Sequence, residues 1–193
     1  IEYNANTLDV NLLLTELSEC LELFPDNFIK EIYEDFSDAI NVYIVGNISE
    51  ANAFAIASEV TFSIRGFSKN VVFHEFMHMI CNRIIDYYEK QNENMYELWN
   101  RFNKEDFLYN EDYSELDSDH FVSIYAMTDE NEDMAETFQY LYETAEYDEF
   151  PENLNNEQVY KKAEFICESI RKAFPSADTE NKNYWEKHIE LKK

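Results

Sequence analysis

Two of the chain's four histidines stand four residues apart, with a glutamate directly after the first, in His74-Glu75-Phe76-Met77-His78. On a helix, positions i and i+4 lie one above the other, so both imidazoles aim at a common point. A zinc ion about 2 Å from each nitrogen fits that arrangement. Glu75 sits about 100° further round, near enough to hold a water on the metal without ligating it. The rest of the run from Val71 to Ile80 is apolar, so the helix should pass through a core. An unpaired carboxylate is costly there, and burial alone argues that these polar groups have a partner.

A catalytic zinc takes three protein ligands and keeps one position open. The spacing H-E-x-x-H-x-x-G-x-x-H does not apply, because Cys81 holds the glycine place and Ile84 the third histidine place. Cys81 has an awkward reach, and a thiolate would make the metal a poorer Lewis acid, so core packing accounts for it better. A structural site would need a fourth protein ligand, and none is evident. The remaining source is a later helix, within FVSIYAMTDENEDMAETFQYLY, residues 121–142. Glu132 and Glu136 lie one turn apart on one side of it. One carboxylate can ligate while the other accepts the N–H of a ligating imidazole. Spacing alone does not separate this from an exposed acidic face.

The elements that must position these groups follow from periodicity. Val10, Leu13, Leu14, Leu17, Leu21 and Phe24 predict a first helix closed by Pro25. Asp26 is placed to cap a second, with Ile29, Ile32, Tyr33, Phe36 and Ile40 on its inner face. NVYIVG and AFAIASEVTFSIR alternate and are β-branched or aromatic, which predicts strands. Ser68 or Asn70 can cap the helix of the histidines, expected to run to about Glu89. Another helix should start near Asp129, and one carrying Val159, Ala163, Ile166, Cys167, Ile170 and Phe174 should end before Pro175. The tail NYWEKHIELKK suits a short last helix. These elements make one α+β domain over residues 1–193, mostly helical: N-terminal helices in 1–40, a small sheet in 41–65, and the active helix with later helices in 66–193.

Composition narrows the class of function. Apolar residues make up 45% and only two glycines occur, which excludes disorder and disfavours Gly-turned barrels. The net charge of −26, from 41 acidic and 15 basic residues, would be repelled by nucleic acid and by anionic membrane surfaces. No run of 18 apolar residues is present to span a bilayer. Cys20, Cys81 and Cys167 are odd in number and fall in helical apolar patterns, so they are expected as core thiols. Residues 105–119 carry seven acids without a clean period; a solvated loop is expected, with a calcium site as the alternative. His120 beside it and His188 in the tail carry no such argument.

HEFMH followed by SIYAMTDENEDMAETF resembles the gluzincin-type zinc metallopeptidases. That group includes bacterial zinc-binding metallopeptidases, the catalytic domain of anthrax lethal factor and the secreted Pro-Pro endopeptidases. They share H-E-x-x-H and then Y-x-x-(T/S)-x-x-x-E-(D/F)-(F/M)-A-E, which falls here on Tyr125, Thr128, Glu132 and the run to Glu136. The likeness covers residues 66–80 and 121–142. It implies a zincin-like fold with the sheet packed on the active helix, and one zinc held by His74, His78 and Glu132. Glu75 would be the general base, Tyr125 the donor to the developing oxyanion, and Glu136 would orient a ligand imidazole. The implied activity is peptide hydrolysis on a peptide or protein substrate held as a strand along residues 54–64, and the implied location is extracellular or cell-surface. The chain opens at Ile1 with no charged-then-apolar leader, so that location comes from the resemblance alone. No glycine-rich segment precedes the helix, so a Pro-Pro preference is not carried over. The alternative is a zincin fold that binds a peptide or protein without cutting it.

Overall fold

Helix α3, Lys69–Lys90, is the element around which the chain is wrapped. From Val72 to Met77 every side chain is buried, so this stretch has no solvent face. The computed structural model describes residues 7–34, 38–48 and 51–191. Five further helices surround or abut α3: α1 (Thr7–Leu21), α2 (Phe28–Tyr33), α4 (Met95–Asn100), α5 (Glu130–Ala145) and α6 (Glu157–Ala173). All five touch α3, as does one strand of the sheet. This makes a mostly helical α+β single domain with a small mixed sheet.

The core is aromatic where these helices meet. Phe24 stacks on Phe28 at 5.2 Å, and Phe28 on Phe174 at 4.5 Å. Phe73 of α3 lies flat on Tyr142 of α5, ring centroids 3.6 Å apart. Each such ring contributes roughly 1.5–3 kcal/mol by leaving water. The Phe73–Tyr142 stack matters most for the site, because it locks α3 to α5 one residue before His74.

The sheet has three strands in the order β1-β3-β2, with β1 Asn41–Val45, β2 Ala53–Ile56 and β3 Glu59–Ser63. β1 runs parallel to β3, opposing Val42 to Val60 and Ile44 to Phe62. β2 runs antiparallel to β3, opposing Ala53 to Phe62 and Ile56 to Glu59. AFAIASEVTFSIR is therefore a hairpin and not one strand. Its two-residue turn is Ala57-Ser58, and Ala57 takes the positive φ of 54° that such turns ask for. Without Gly or Asn at that turn, the alternating pattern ran through it unbroken. Val60 and Phe62 are fully buried, while Phe54 and Ile56 on the outer strand stay exposed.

Other expectations are corrected. Asp26 does not cap α2: Asn27 holds that place in a left-handed conformation with no side-chain bond. Ser68 precedes α3 but its hydroxyl makes no cap bond either, and Asn70 lies inside the helix. Leu14 is exposed; Leu13, Leu17 and Cys20 form the buried stripe of α1. Phe36 lies outside the described residues. The tail forms only a 3-10 turn, Tyr184–Glu186, whose Trp185 is buried in the core. Residues 105–119 are irregular, but Phe107, Tyr109 and Tyr113 pack on buried Phe121, Ala126 and Met127 as a small second cluster. Their carboxylates join no group of three or more converging His, Cys, Asp or Glu ligand atoms among the described residues. All three cysteines are buried free thiols.

Candidate metal centre

α3 presents His74 and His78 to the first turn of α5. His74 Nε2 and His78 Nε2 are 3.2 Å apart. Glu132 Oε2 is 3.0 Å from the first and 3.6 Å from the second. Three ligand atoms of a tetrahedral centre with bonds of about 2 Å stand roughly 3.3 Å from one another. This buried group can hold a metal ion, and it is the one such group among the described residues. The donor set suits a cation: buried Glu132 Oε2 makes no well-aligned hydrogen bond and faces the two imidazole nitrogens. A buried carboxylate oxygen there is costly unless a cation, or a proton on His74, offsets its charge.

Glu132 is placed by the cap of its own helix. Asp129 accepts from Asn131 N at 2.7 Å and from Glu132 N at 3.0 Å. Glu130, Glu132 and Asp133 share the first turn, where the unpaired N–H groups of the helix end favour negative charge. The next residue, Asp133, is an anchor. Its Oδ2 accepts from Trp99 Nε1 at 2.8 Å, Tyr109 OH at 2.7 Å and Lys162 Nζ at 2.6 Å. Lys162 Nζ also sits 3.7 Å above the ring of Phe121. Both charges are buried, and burial pushes the Asp133 pKa up and the Lys162 pKa down against their mutual attraction. Four segments (α4, the 105–121 loop, α5 and α6) are thereby tied beside Glu132.

His74 is held from behind. Its Nδ1 lies 3.0 Å from Glu136 Oε1. Ser123 Oγ donates to Glu136 Oε2 at 2.6 Å and accepts from Ala126 N at 3.0 Å. A proton on Nδ1 leaves the Nε2 lone pair free toward the group. In the metal-free protein burial works against charge on His74, but Glu132 and Glu136 outweigh it and carry its pKa up to about 9. Burial pushes His78 down. Burial also works to raise the Glu132 pKa, and the two imidazoles overcome it and lower it.

Glu75 is buried next to His74, and burial pushes its carboxyl up to about 7, against the pull of His74 and of the Ala55 N–H. The Ala55 contact puts Glu75 at the free edge of β2. Tyr125, on a 3-10 turn, is half exposed, its ring 6.0 Å from that of His74. Burial and the nearby Glu132 raise its phenol pKa, so it stays a proton donor at neutral pH. An open cleft passes over these groups in two lobes of about 670 and 560 Å³ that share Ala51, Ala53, His74, Glu75 and Tyr125.

All six residues singled out by pattern, His74, Glu75, His78, Tyr125, Glu132 and Glu136, thus stand together around one cleft. Cys81 Sγ lies 3.9 Å from Met134 Sδ in the core and is not in the group. His120 pairs with Asp117, and His188 lies against the Thr144 and Tyr147 carbonyls. Four contributors escaped the sequence reading: Ser123, Asp129 as a cap with bonds to the ligand turn, the Asp133–Lys162 pair, and Arg65 in the larger lobe. Asp129 had a signal, an Asp three residues before a Glu at a helix start. Lys162 had one too, a lysine next to Ala163 on an otherwise apolar stripe.

Comparisons with protein-family models, with curated proteins and with solved structures return no match to this chain. No helix among the described residues is long and apolar enough to cross a membrane.

Proposed function

We propose that this chain is a zinc-dependent endopeptidase of gluzincin type with a zincin-like fold. The observation that carries the reading is the convergence of buried Glu132 Oε2 with His74 Nε2 and His78 Nε2, with Glu75 buried alongside. These three would hold the ion, and Cys81 has no part in it. When bound, zinc supplies Lewis acidity, bringing the pKa of water from about 16 to about 7. Glu75, as the carboxylate, takes the proton of the attacking water and passes it to the leaving amine. Tyr125 donates its phenolic proton as a hydrogen bond to the carbonyl oxygen while charge grows there. Ser123 and Glu136 fix the tautomer of His74 and do not touch substrate. The free edge of β2 receives the peptide as an added strand, with backbone bonds giving affinity. The resemblance that supports this activity also suggests an enzyme working outside the cell or on its surface.

The test is zinc stoichiometry and digestion of a peptide library by wild type, Glu75→Ala and Glu132→Ala. Wild type should hold one zinc and cut. Glu75→Ala should keep zinc and lose turnover, and Glu132→Ala should hold zinc more weakly by at least about a hundredfold. Undiminished cleavage by Glu75→Ala would sink the mechanism.

A further inference from the structure

The two lobes of the cleft differ in charge. A peptide strand added to β2 continues the antiparallel pairing of β2 with β3 most stably if it too runs antiparallel to β2. Its chain then passes from the Ala57 end of β2 toward the Ala53 end, so residues after the scissile bond enter the lobe lined by Asn52, Arg65 and Gln139. Residues before the bond lie in the other lobe, among Asn82, Tyr96, Asp129 and Asn131. Arg65 is the sole lysine or arginine lining either lobe among the described residues.

In a chain with 41 acidic and 15 basic residues, Lys69, Arg83, Lys161, Lys162, Arg171, Lys172 and Lys187 pair with carboxylates. Arg65 makes no ion pair among the described residues, although it lies on an exposed surface beside the site. Its neighbour Gly66 makes room for the Asn52 side chain. The space a side chain at 66 would fill is taken by the carboxamide of Asn52, whose own carbonyl is held by Ser63 N at 2.9 Å. Two carboxylates also line that lobe: Glu136 is taken up by His74 and Ser123, and Glu75 lies at the centre that both lobes share. Arg65 and Asn52 thus line one lobe, and a planar carboxylate suits the guanidinium.

We infer that the Arg65 lobe is a subsite for a carboxylate on the C-terminal side of the cleaved bond. The carboxylate belongs either to an acidic side chain or to the peptide's own C-terminus. This rests on the peptidase reading for its orientation and deepens it by naming a substrate class. It also opposes the expectation from net charge alone, which steers basic peptides toward the protein.

The test uses zinc-loaded, immobilised Glu75→Ala protein with Arg65 intact, Arg65→Gln or Arg65→Glu. The probes are randomised octapeptide pools with one position fixed as Glu, Gln or Lys, each made with a free and with an amidated C-terminus, and retained peptides are counted by mass spectrometry. Arg65 should retain carboxylate-bearing peptides about fivefold over their amide counterparts, the size of a partly exposed charge-assisted pair. Arg65→Gln should bring that ratio to about one, and Arg65→Glu should turn it toward Lys. Preference for Glu within amidated pools assigns the side chain, and preference for free over amidated ends assigns the terminus. Equal ratios in all three proteins would overturn the subsite. The same pools are digested in parallel with Glu75 intact. Carboxylate selection without any cleavage overturns the peptidase reading and leaves the subsite standing. Cleavage with no Arg65-dependent selection does the reverse.

Discussion

Glu75→Gln measures the cost of keeping a base in the core. In the metal-free protein burial raises the Glu75 pKa from 4.5 to about 7. A carboxyl whose folded pKa lies above its unfolded value favours folding fully below the lower value. That contribution is lost as the pH climbs through the higher one. The whole rise is worth about 3 kcal/mol, and about 2 kcal/mol of it falls between pH 5.5 and 8.0. This window lies above the pI of about 4.3, and the pH dependence that His74 adds between its unfolded pKa of 6.5 and its folded value of about 9 is common to both proteins and drops out of their comparison. Glutamine has the same shape and no charge, and its own burial cost is the same at both pH values. Urea unfolding in the presence of chelator, for wild type and Glu75→Gln at pH 5.5 and 8.0, gives four free energies. The variant should gain about 2 kcal/mol on wild type between the two conditions. A gap between the proteins that does not change with pH would refute the claim that burial holds this carboxyl near neutrality.

Lys162→Ala strands Asp133 as an unpaired buried charge, and should cost about 3–5 kcal/mol and lower the melting temperature by roughly 10 °C in a thermal circular-dichroism scan. Ser123→Ala removes the donor to Glu136 without opening the core. Competition with a chromophoric chelator should show metal affinity about tenfold weaker, with unfolding little changed.

The helices were legible because their partners are apolar and periodic: α6 ends where Phe174-Pro175 said it would, and α5 starts behind Asp129. The ligand pair on α3 was legible for a related reason, since polar groups in an apolar run must be doing something together. What escaped was set by long-range geometry. The β2–β3 turn has no glycine or asparagine to announce it, so one alternating run read as one strand. α4 is six residues long and is held by Trp99, whose partner Asp133 lies 34 residues on. Ser123 is an ordinary serine until Glu136 arrives from the next element. Choosing Glu132 over Glu136 as the inner carboxylate needed a family pattern, because one helical turn separates them and both face α3. In the folded chain, Oε2 of the first lies between the imidazoles and Oε1 of the second lies behind one of them.

The free edge of β2 has a consequence for the protein as a population of molecules. Exposed Phe54 and Ile56 lie on a strand paired on one side only, with the Ala55 N–H taken by Glu75, and such an edge invites a second copy as readily as it invites a peptide. Nothing on the strand itself is blunted by lysine or proline. Colloidal repulsion among bodies each bearing −26 charges stands in for that local protection. At about 1 M salt the Debye length shrinks to about 3 Å, and acid near the pI removes the charge outright. Strand-to-strand coagulation should therefore begin at this edge under brine or acid, while dilute neutral buffer keeps the molecules apart.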